Sequence, residues 1–380
     1  MKVEAVELRR VDLPLVRPFR AAHGTVTNRE VVVVRIIADT GEGWGECAAL
    51  PDAGYSTETT STAYRWLREH AAPRLLGFDL GGLLEDGPPP GPPSGPAPLL
   101  DARIPAANHP MARAALESAL LDVALRAREV SLASHLGATR TTVASGAALG
   151  ITRTVDELVA AVGGARRDGY VRVKLKIAPG WDLEPVAAVR HAFPTFPVQV
   201  DANGSYTRGD TERLLALDTL DLTCIEQPLP ADDLGGHANL ARLLQTPIAL
   251  DESVDSLATA ETVLQRGACG MLCLKPGRVG GYETARRIHD RFVDAGVPIW
   301  CGGMLETGIG RAAALAVAAL PGCTGPTDLA ASARYFLEDV TTPFVLHDGH
   351  LTVPHGPGLG VEVRPAVLDA ATTRLDTVRR

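Results

Sequence analysis

The chain has 380 residues, more than a single core usually serves, so one large domain with a smaller partner is the expected organisation. Its 37 Lys and Arg stand against 45 Asp and Glu, a net charge of -8 with both signs scattered and no basic run, which excludes nucleic acid as a partner. No apolar run could span a bilayer, the alternating opening MKVEAVELRRVDLPLV lacks a signal-peptide core, and the six cysteines form no CxxC pair; a cytoplasmic protein with reduced core thiols and no membrane contact is expected.

In chain order, Val3 to Arg9, Val31 to Ala38 and Gly43 to Ala49 read as a three-stranded antiparallel meander with Asp39-Thr40-Gly41 as its second turn. Helical patterns follow around Ser61 to Arg74 and Met111 to Ala127, which makes residues 1–130 an α+β capping domain. Between those helices, the Pro/Gly-rich stretch at 87–98 can supply few backbone donors. It reads as a solvated insertion, with a proline-rich recognition segment as the alternative.

From about Val143 the pattern changes to short apolar runs alternating with helix-length amphipathic stretches, the mark of βα units on a parallel sheet. The runs are Ala147 to Leu149, Val171 to Ile177, Pro197 to Val200, Leu222 to Ile225, Pro247 to Leu250, Gly270 to Leu274 and Pro298 to Cys301. Strands in such a series fit a barrel over residues 131–330. The remainder, 331–380, returns to hairpin-like runs (Phe344 to Leu346, Leu351 to Val353, Gly360 to Val363) and is expected to fold back on the capping domain.

Successive strands end in Lys176, Asp201, Glu226, Asp251 and Lys275, at steps of 25, 25, 25 and 24 residues, one βα repeat each time. A single carboxylate after a strand is commonly a cap or a turn former. A series at one period instead converges on the C-terminal mouth of a barrel. Asp201, Glu226 and Asp251 would repel each other unless a cation sat among them, and all-oxygen ligands favour magnesium, with manganese able to substitute. No zinc pattern is present.

In Val171 to Ile177 the apolar residues share one parity, which turns Lys174 and Lys176 into the barrel; a solvent-facing edge strand is the alternative. Paired ammonium groups are expected to depress each other's pKa, fitting Lys176 to act as a base, with Lys275 approaching from the other side. A divalent cation stabilises the charge that gathers when a proton leaves carbon beside a carboxylate, so proton abstraction from a small carboxylate substrate is the expected reaction class.

At these residues the sequence resembles the enolase superfamily, whose lysine-base and magnesium chemistry is a general pattern. Lys174-x-Lys176, Asp201-x-Asn203, Glu226-Gln227-Pro228, Asp251-Glu252-Ser253 and Lys275 resemble the muconate-lactonizing subgroup. Lys275-Pro-Gly-Arg278, Trp300-Cys-Gly-Gly-Met304-Leu-Glu306, Gly308-Ile-Gly-Arg311 and Ser332-Ala-Arg334-Tyr335 look like its o-succinylbenzoate synthase / N-succinylamino acid racemase subfamily. The resemblance runs from about Val6 to Val363. It implies an α/β fold, a modified (β/α)8 TIM-type barrel with an N-terminal α+β capping domain completed by the C-terminal segment.

It further implies Asp201, Glu226 and Asp251 as magnesium ligands, Lys176 and Lys275 as acid/base catalysts, and Lys174, Asn203 and Glu252 as supporting groups. Arg278 is associated with racemase-competent members, against the alternative of a surface arginine at a helix N-terminus. His23, Tyr55, Gly302, Gly303 and Met304 are expected against the substrate, and a homo-oligomer is expected. The sequence departs from the pattern at His23, where an aromatic residue is expected, at Ala148, where relatives often carry a hydroxyl, and in the long insertion before Met111. The activities implied are o-succinylbenzoate synthesis, a dehydration in menaquinone biosynthesis, and N-succinyl- or N-acylamino acid racemisation. Dipeptide epimerisation and muconate cycloisomerisation are the alternatives within the superfamily, and a non-catalytic binding scaffold is the alternative outside it.

Overall fold

The computed structural model of the chain describes residues 1–22, 24–82, 100, 104 and 108–379. His23 and the insertion at 87–98 lie outside the described residues. Strand β1 (Val3–Ala21) pairs antiparallel with β2 (Gly24–Ala38), which pairs with β3 (Gly41–Cys47). β1 runs well beyond the expected Val3 to Arg9. Pro14 and Pro18 argue against a continuous strand, but the register shifts between Pro14 and Phe19 and the ladder re-forms at Phe19↔Val26. The first helix, expected over Ser61 to Arg74, is Thr60–Trp66 continued through a wider π turn, Leu67–Ala71, into Ala72–Leu75.

The helix Pro110–Arg126 is buried from Met111 to Leu125 and packs on β3. Its backbone approaches so closely that a Cβ on Gly43 or Gly45 would fall onto the carbonyls of Ala119 or Ala115. Glycine is thus required in β3 by contact, and the helix is buried on every side, its Arg113, Glu117 and Asp122 included, because it lies between the capping sheet and the barrel.

β4 (Thr142–Ala144) precedes the seven parallel strands β5 (Gly146–Leu149), β6 (Arg172–Lys176), β7 (Val198–Asp201), β8 (Ile225–Glu226), β9 (Ile248–Leu250), β10 (Met271–Leu274) and β11 (Ile299–Cys301), paired in sequential order. Each is followed by a helix, and Thr154, Asp182, Asp233, Ser256 and Thr307 cap five of these helices by accepting backbone N–H bonds. The segment 325–328 fills the eighth position. Gly325 N and Asp328 N donate to Ile299 and Cys301 of β11 at 3.2 and 3.1 Å, and Gly146 N of β5 donates to Thr327 O at 2.8 Å. The sheet thereby closes on itself.

The period of two decides what faces inward. Val173, Leu175, Val198, Val200 and Ile248 join the large core shared with the helices, whereas Cys224, Ala249, Cys273 and Trp300 form a small apolar layer inside the barrel. All six cysteines are free thiols.

The C-terminal stretch does not follow the expected pattern in detail. Phe344 to Leu346 and Gly360 to Val363 form no strand. β12 (His350–Thr352) pairs with β4, and the strand that joins the capping sheet is β13 (Thr372–Arg379), beside β1. β13 is largely exposed and polar, so it lacks the apolar alternation that would have marked it. No helix among the described residues is long and apolar enough to cross a membrane.

Candidate active site

The charged strand ends converge at the C-terminal mouth of the barrel. Lys176 pairs in register with Asp201, and Asp201 with Glu226, so β6, β7 and β8 bring these groups side by side. Lys174, one step deeper, reaches Glu226 at 3.0 Å, Asp201 at 3.4 Å and Asp328 at 2.5 Å. Lys176 Nζ donates to Asp201 Oδ2 (2.6 Å) and Asn203 Oδ1 (2.7 Å). On the opposite side, Lys275 Nζ donates to Asp251 Oδ2 (2.8 Å) and the Tyr55 hydroxyl (3.2 Å), lying over the Tyr55 ring. Lys174 and Lys176 therefore point inward, and the edge-strand alternative is excluded.

The loops after the strands fix these groups. Asn203, in the left-handed region at φ 45°, donates its backbone N–H to Asp201 Oδ1 at 3.0 Å and its side-chain amide to Glu252 Oε1 at 2.9 Å. Gln227, also left-handed, accepts the N–H groups of Asp251 and Ser253 at its Oε1, holding the β9 end against the β8 end. Arg278 is buried: it bonds Asp251 Oδ1, the Tyr55 hydroxyl (3.1 Å) and the carbonyls of Val254 and Cys273. The surface-arginine alternative is excluded.

Burial pushes the Asp201 carboxyl up, but the ammonium groups of Lys176 and Lys174 outweigh it and bring it down to about 2. Glu226 and Glu252 are pushed up, by burial first and then by Asp201. The expectation that paired ammonium groups depress each other is corrected at Lys174. Burial lowers its pKa, but Asp328, Glu226 and Asp201 outweigh burial and hold it well above the ordinary lysine value. Lys275 is likewise held high against burial, facing Tyr55, Cys273, Glu252 and Glu226. Charge crowding within one strand is overridden by carboxylates that the fold brings from other strands.

Ligand atoms of Glu226, Asp251 and Cys273 lie within 4.8 Å of one another. Burial pushes the Cys273 thiol well up, and its soft sulfur suits a hard dication less than carboxylate oxygen does. Asp201 is not among those three; it stands in register beside Glu226 and shares Lys174 with it, and next in sequence to Asp251 the Glu252 Oε2 is buried with no hydrogen-bond partner. A crowd of carboxylate oxygens with one left unsatisfied fits a hard dication.

Asp328 was not anticipated. It accepts from Lys174, from Arg172 at 2.7 Å and from the Trp300 indole at 3.1 Å; burial pushes its carboxyl up, but Lys174 and Arg172 hold it well below the usual range. The signal was present: from Lys275 the series continues to Cys301 and then to Asp328 in successive steps of 26 and 27 residues, but the closing segment is too short and irregular to read as a strand.

A cavity above the lysines is lined on the barrel side by Lys174, Lys176, Lys275, Asn203 and Asp328, and on the other side by Phe19, Val26, Leu50, Tyr55, Met304 and Leu305. Gly303, Ala148 and Tyr335 complete it. Of the expected substrate contacts, Tyr55, Gly303 and Met304 thus line the cavity, Gly302 lies behind them against Lys275, and His23 is outside the described residues.

This arrangement is matched by sequence. Residues 157–367 match the family "Enolase C-terminal domain-like", and residues 5–85 match "Mandelate racemase / muconate lactonizing enzyme, N-terminal domain". The chain is 49% identical to an N-succinylamino acid racemase of Amycolatopsis sp over 98% of each chain. It is 41% identical to an o-succinylbenzoate synthase of Geobacillus kaustophilus, over 96% of this chain and 94% of that protein. A crystal structure of an enolase superfamily member from Listeria innocua superposes with a TM-score of 0.90 at 35% identity, covering 100% of this chain and 99% of that one. With a barrel of this topology, a capping sheet and full-length relatives of these names, the chain is an enzyme that belongs to the enolase superfamily, in its o-succinylbenzoate synthase / N-succinylamino acid racemase subfamily.

Proposed function

We propose that this enzyme removes the proton α to a carboxylate, either to dehydrate the o-succinylbenzoate precursor or to racemise N-succinylamino acids. The reading rests on one observation: two lysines, the half-buried Lys176 on Asp201 and the buried Lys275 on Asp251, stand on opposite sides of the barrel mouth. Asp201, Glu226 and Asp251 would hold magnesium, or manganese in its place, with Asn203 and Glu252 beside them. When bound, the ion supplies positive charge to the substrate carboxylate, where negative charge gathers as the proton leaves.

Lys176, beside Asp201 and Asn203, and Lys275, beside Asp251 and Tyr55, would each face one side of the α-carbon. In dehydration, Lys176 takes the α-proton and then delivers it to the departing hydroxyl as water, while the Lys275 cation faces the developing enediolate. In racemisation, one lysine removes the proton and the other returns one to the opposite face. Arg278 shares Asp251 and the Tyr55 hydroxyl with Lys275 and acts as the positioning group on that side.

The test is turnover of the dehydration substrate and of N-succinylamino acids, with magnesium or with chelator, followed by α-proton exchange in deuterated water. Lys176→Ala and Lys275→Ala should each lose racemisation but retain exchange with one enantiomer, a different one in each variant. Exchange with both enantiomers in both variants would refute the two-base assignment. Turnover of a dipeptide or of muconate alone would move the activity to another branch of the superfamily.

A further inference from the structure

The cavity's apolar wall is held from an unexpected place. Arg29, in β2, is wholly buried, and every bond it makes is to a backbone carbonyl. Nε donates to Met304 O at 3.1 Å, Nη1 to Glu30 O (2.5 Å) and Ala49 O (3.0 Å), and Nη2 to Ala48 O. Residues 48 and 49 lead directly into Leu50 and Tyr55, and Met304 is followed by Leu305; all four side chains line the cavity. One guanidinium thus joins two loops that meet in the apolar wall of the cavity.

The loop it grips is also fastened to the barrel, through Gly302 N to Leu274 O at 2.9 Å and Arg311 Nη2 to Glu306 O at 2.7 Å, within itself, and to β3. Met304 N donates to Glu306 Oε1 at 2.7 Å, and Leu305 sits in the left-handed region at φ 56°, a conformation that leucine holds only when its surroundings impose it. Glu46 of β3 accepts from Thr307 N and Gly310 N at 3.1 and 3.0 Å, at the start of the helix Gly308–Ala318. Both capping strands therefore hold residues 304–310.

We propose that Arg29 is a positioning residue that determines specificity, by fixing where Leu50 and Met304 sit beside each other in the apolar wall and hence the size of apolar substituent accepted next to the reacting carbon. The four carbonyls converge from two loops and β2 itself, and only the branched, many-donor guanidinium serves all of them at once; a lysine ammonium has three donors on one atom. This rests on the proton-abstraction reading for the substrate's location, but the clamp itself does not.

The test has two arms. Arg29→Lys and Arg29→Met are assayed with N-succinylalanine and N-succinylphenylalanine, alone and in a Met304→Ala background. The expected result is a change of about tenfold in the ratio of kcat/KM values, with α-proton exchange at saturation changed by less than about threefold, and little further change when Met304 is already alanine. An unchanged ratio, or effects that simply multiply with those of Met304→Ala, overturns the proposal. In the second arm, native-state hydrogen exchange of the substrate-free wild-type protein follows the Met304 and Thr307 amides, which should open together with β2; opening with β11 while β2 stays protected overturns the clamp. Absence of turnover by wild type would count against the proton-abstraction reading and leave the exchange arm to decide the clamp.

Discussion

At Gly302 there is no room for a methyl group, because a Cβ would lie 2.7 Å from Lys275 Cε and 2.9 Å from its Cγ. The lysine can swing aside, but only by leaving Asp251 and the Tyr55 hydroxyl. Gly302→Ala should therefore lower kcat at least about tenfold while costing only about 1–3 kcal/mol of stability, the usual range for overpacking. Steady-state kinetics beside chemical denaturation would check it; unchanged kcat would mean that Lys275 does not need its present position. His237 makes a pH prediction. It is fully buried, accepts the Leu229 N–H at Nε2, and burial lowers its pKa to about 4 despite Asp233. Because the unfolded chain binds the proton more readily, the stability it contributes is complete above the unfolded value of 6.5 and is lost as pH falls toward 4. By pH 5 the loss should be about 2 kcal/mol, and His237→Gln should remove that part of the acid sensitivity between pH 7.5 and pH 5.

Among elements, the contact of β3 with the helix Pro110–Arg126 decides how closely the capping sheet sits on its neighbour. At Gly45 the clash would be with backbone, which cannot rotate away, so Gly45→Ala should destabilise by about 3 kcal/mol or more. Gly164 gives the opposite sign. It lies inside the helix Val155–Arg167 with only the end of Arg167 nearby, at 3.9 Å, so Gly164→Ala should stabilise by about 0.5–1 kcal/mol. Denaturant midpoints of the two variants would test both. The barrel strands were legible because each is a short apolar run ended by a charge. β13 and the closing segment 325–328 were not, since one is polar on its exposed faces and the other is defined by hydrogen bonds to β5 and β11 rather than by any pattern of its own.

For the whole molecule, the proposed metal site makes a prediction about stability. A dication binding only the folded chain adds about 2.7 kcal/mol at a hundred times its dissociation constant, so magnesium should raise Tm by a few degrees and chelator should reverse it. Asp251→Asn should abolish the shift; an equal shift in that variant would remove Asp251 from the ligand set. The sequence by itself determined the repeat of strand and helix, the inward parity of Lys174 and Lys176, and the convergence of Asp201, Glu226 and Asp251, because these follow from period and spacing along one chain. Only the tertiary structure decided that Lys174 is held charged by Asp328 and Glu226, that Arg278 is buried on Asp251, and that Arg29 clasps Met304 from 275 residues away. Each of those depends on which groups meet across the closed barrel or between it and the cap, and the energy of a buried charge is set by its neighbours in space rather than by its neighbours in sequence.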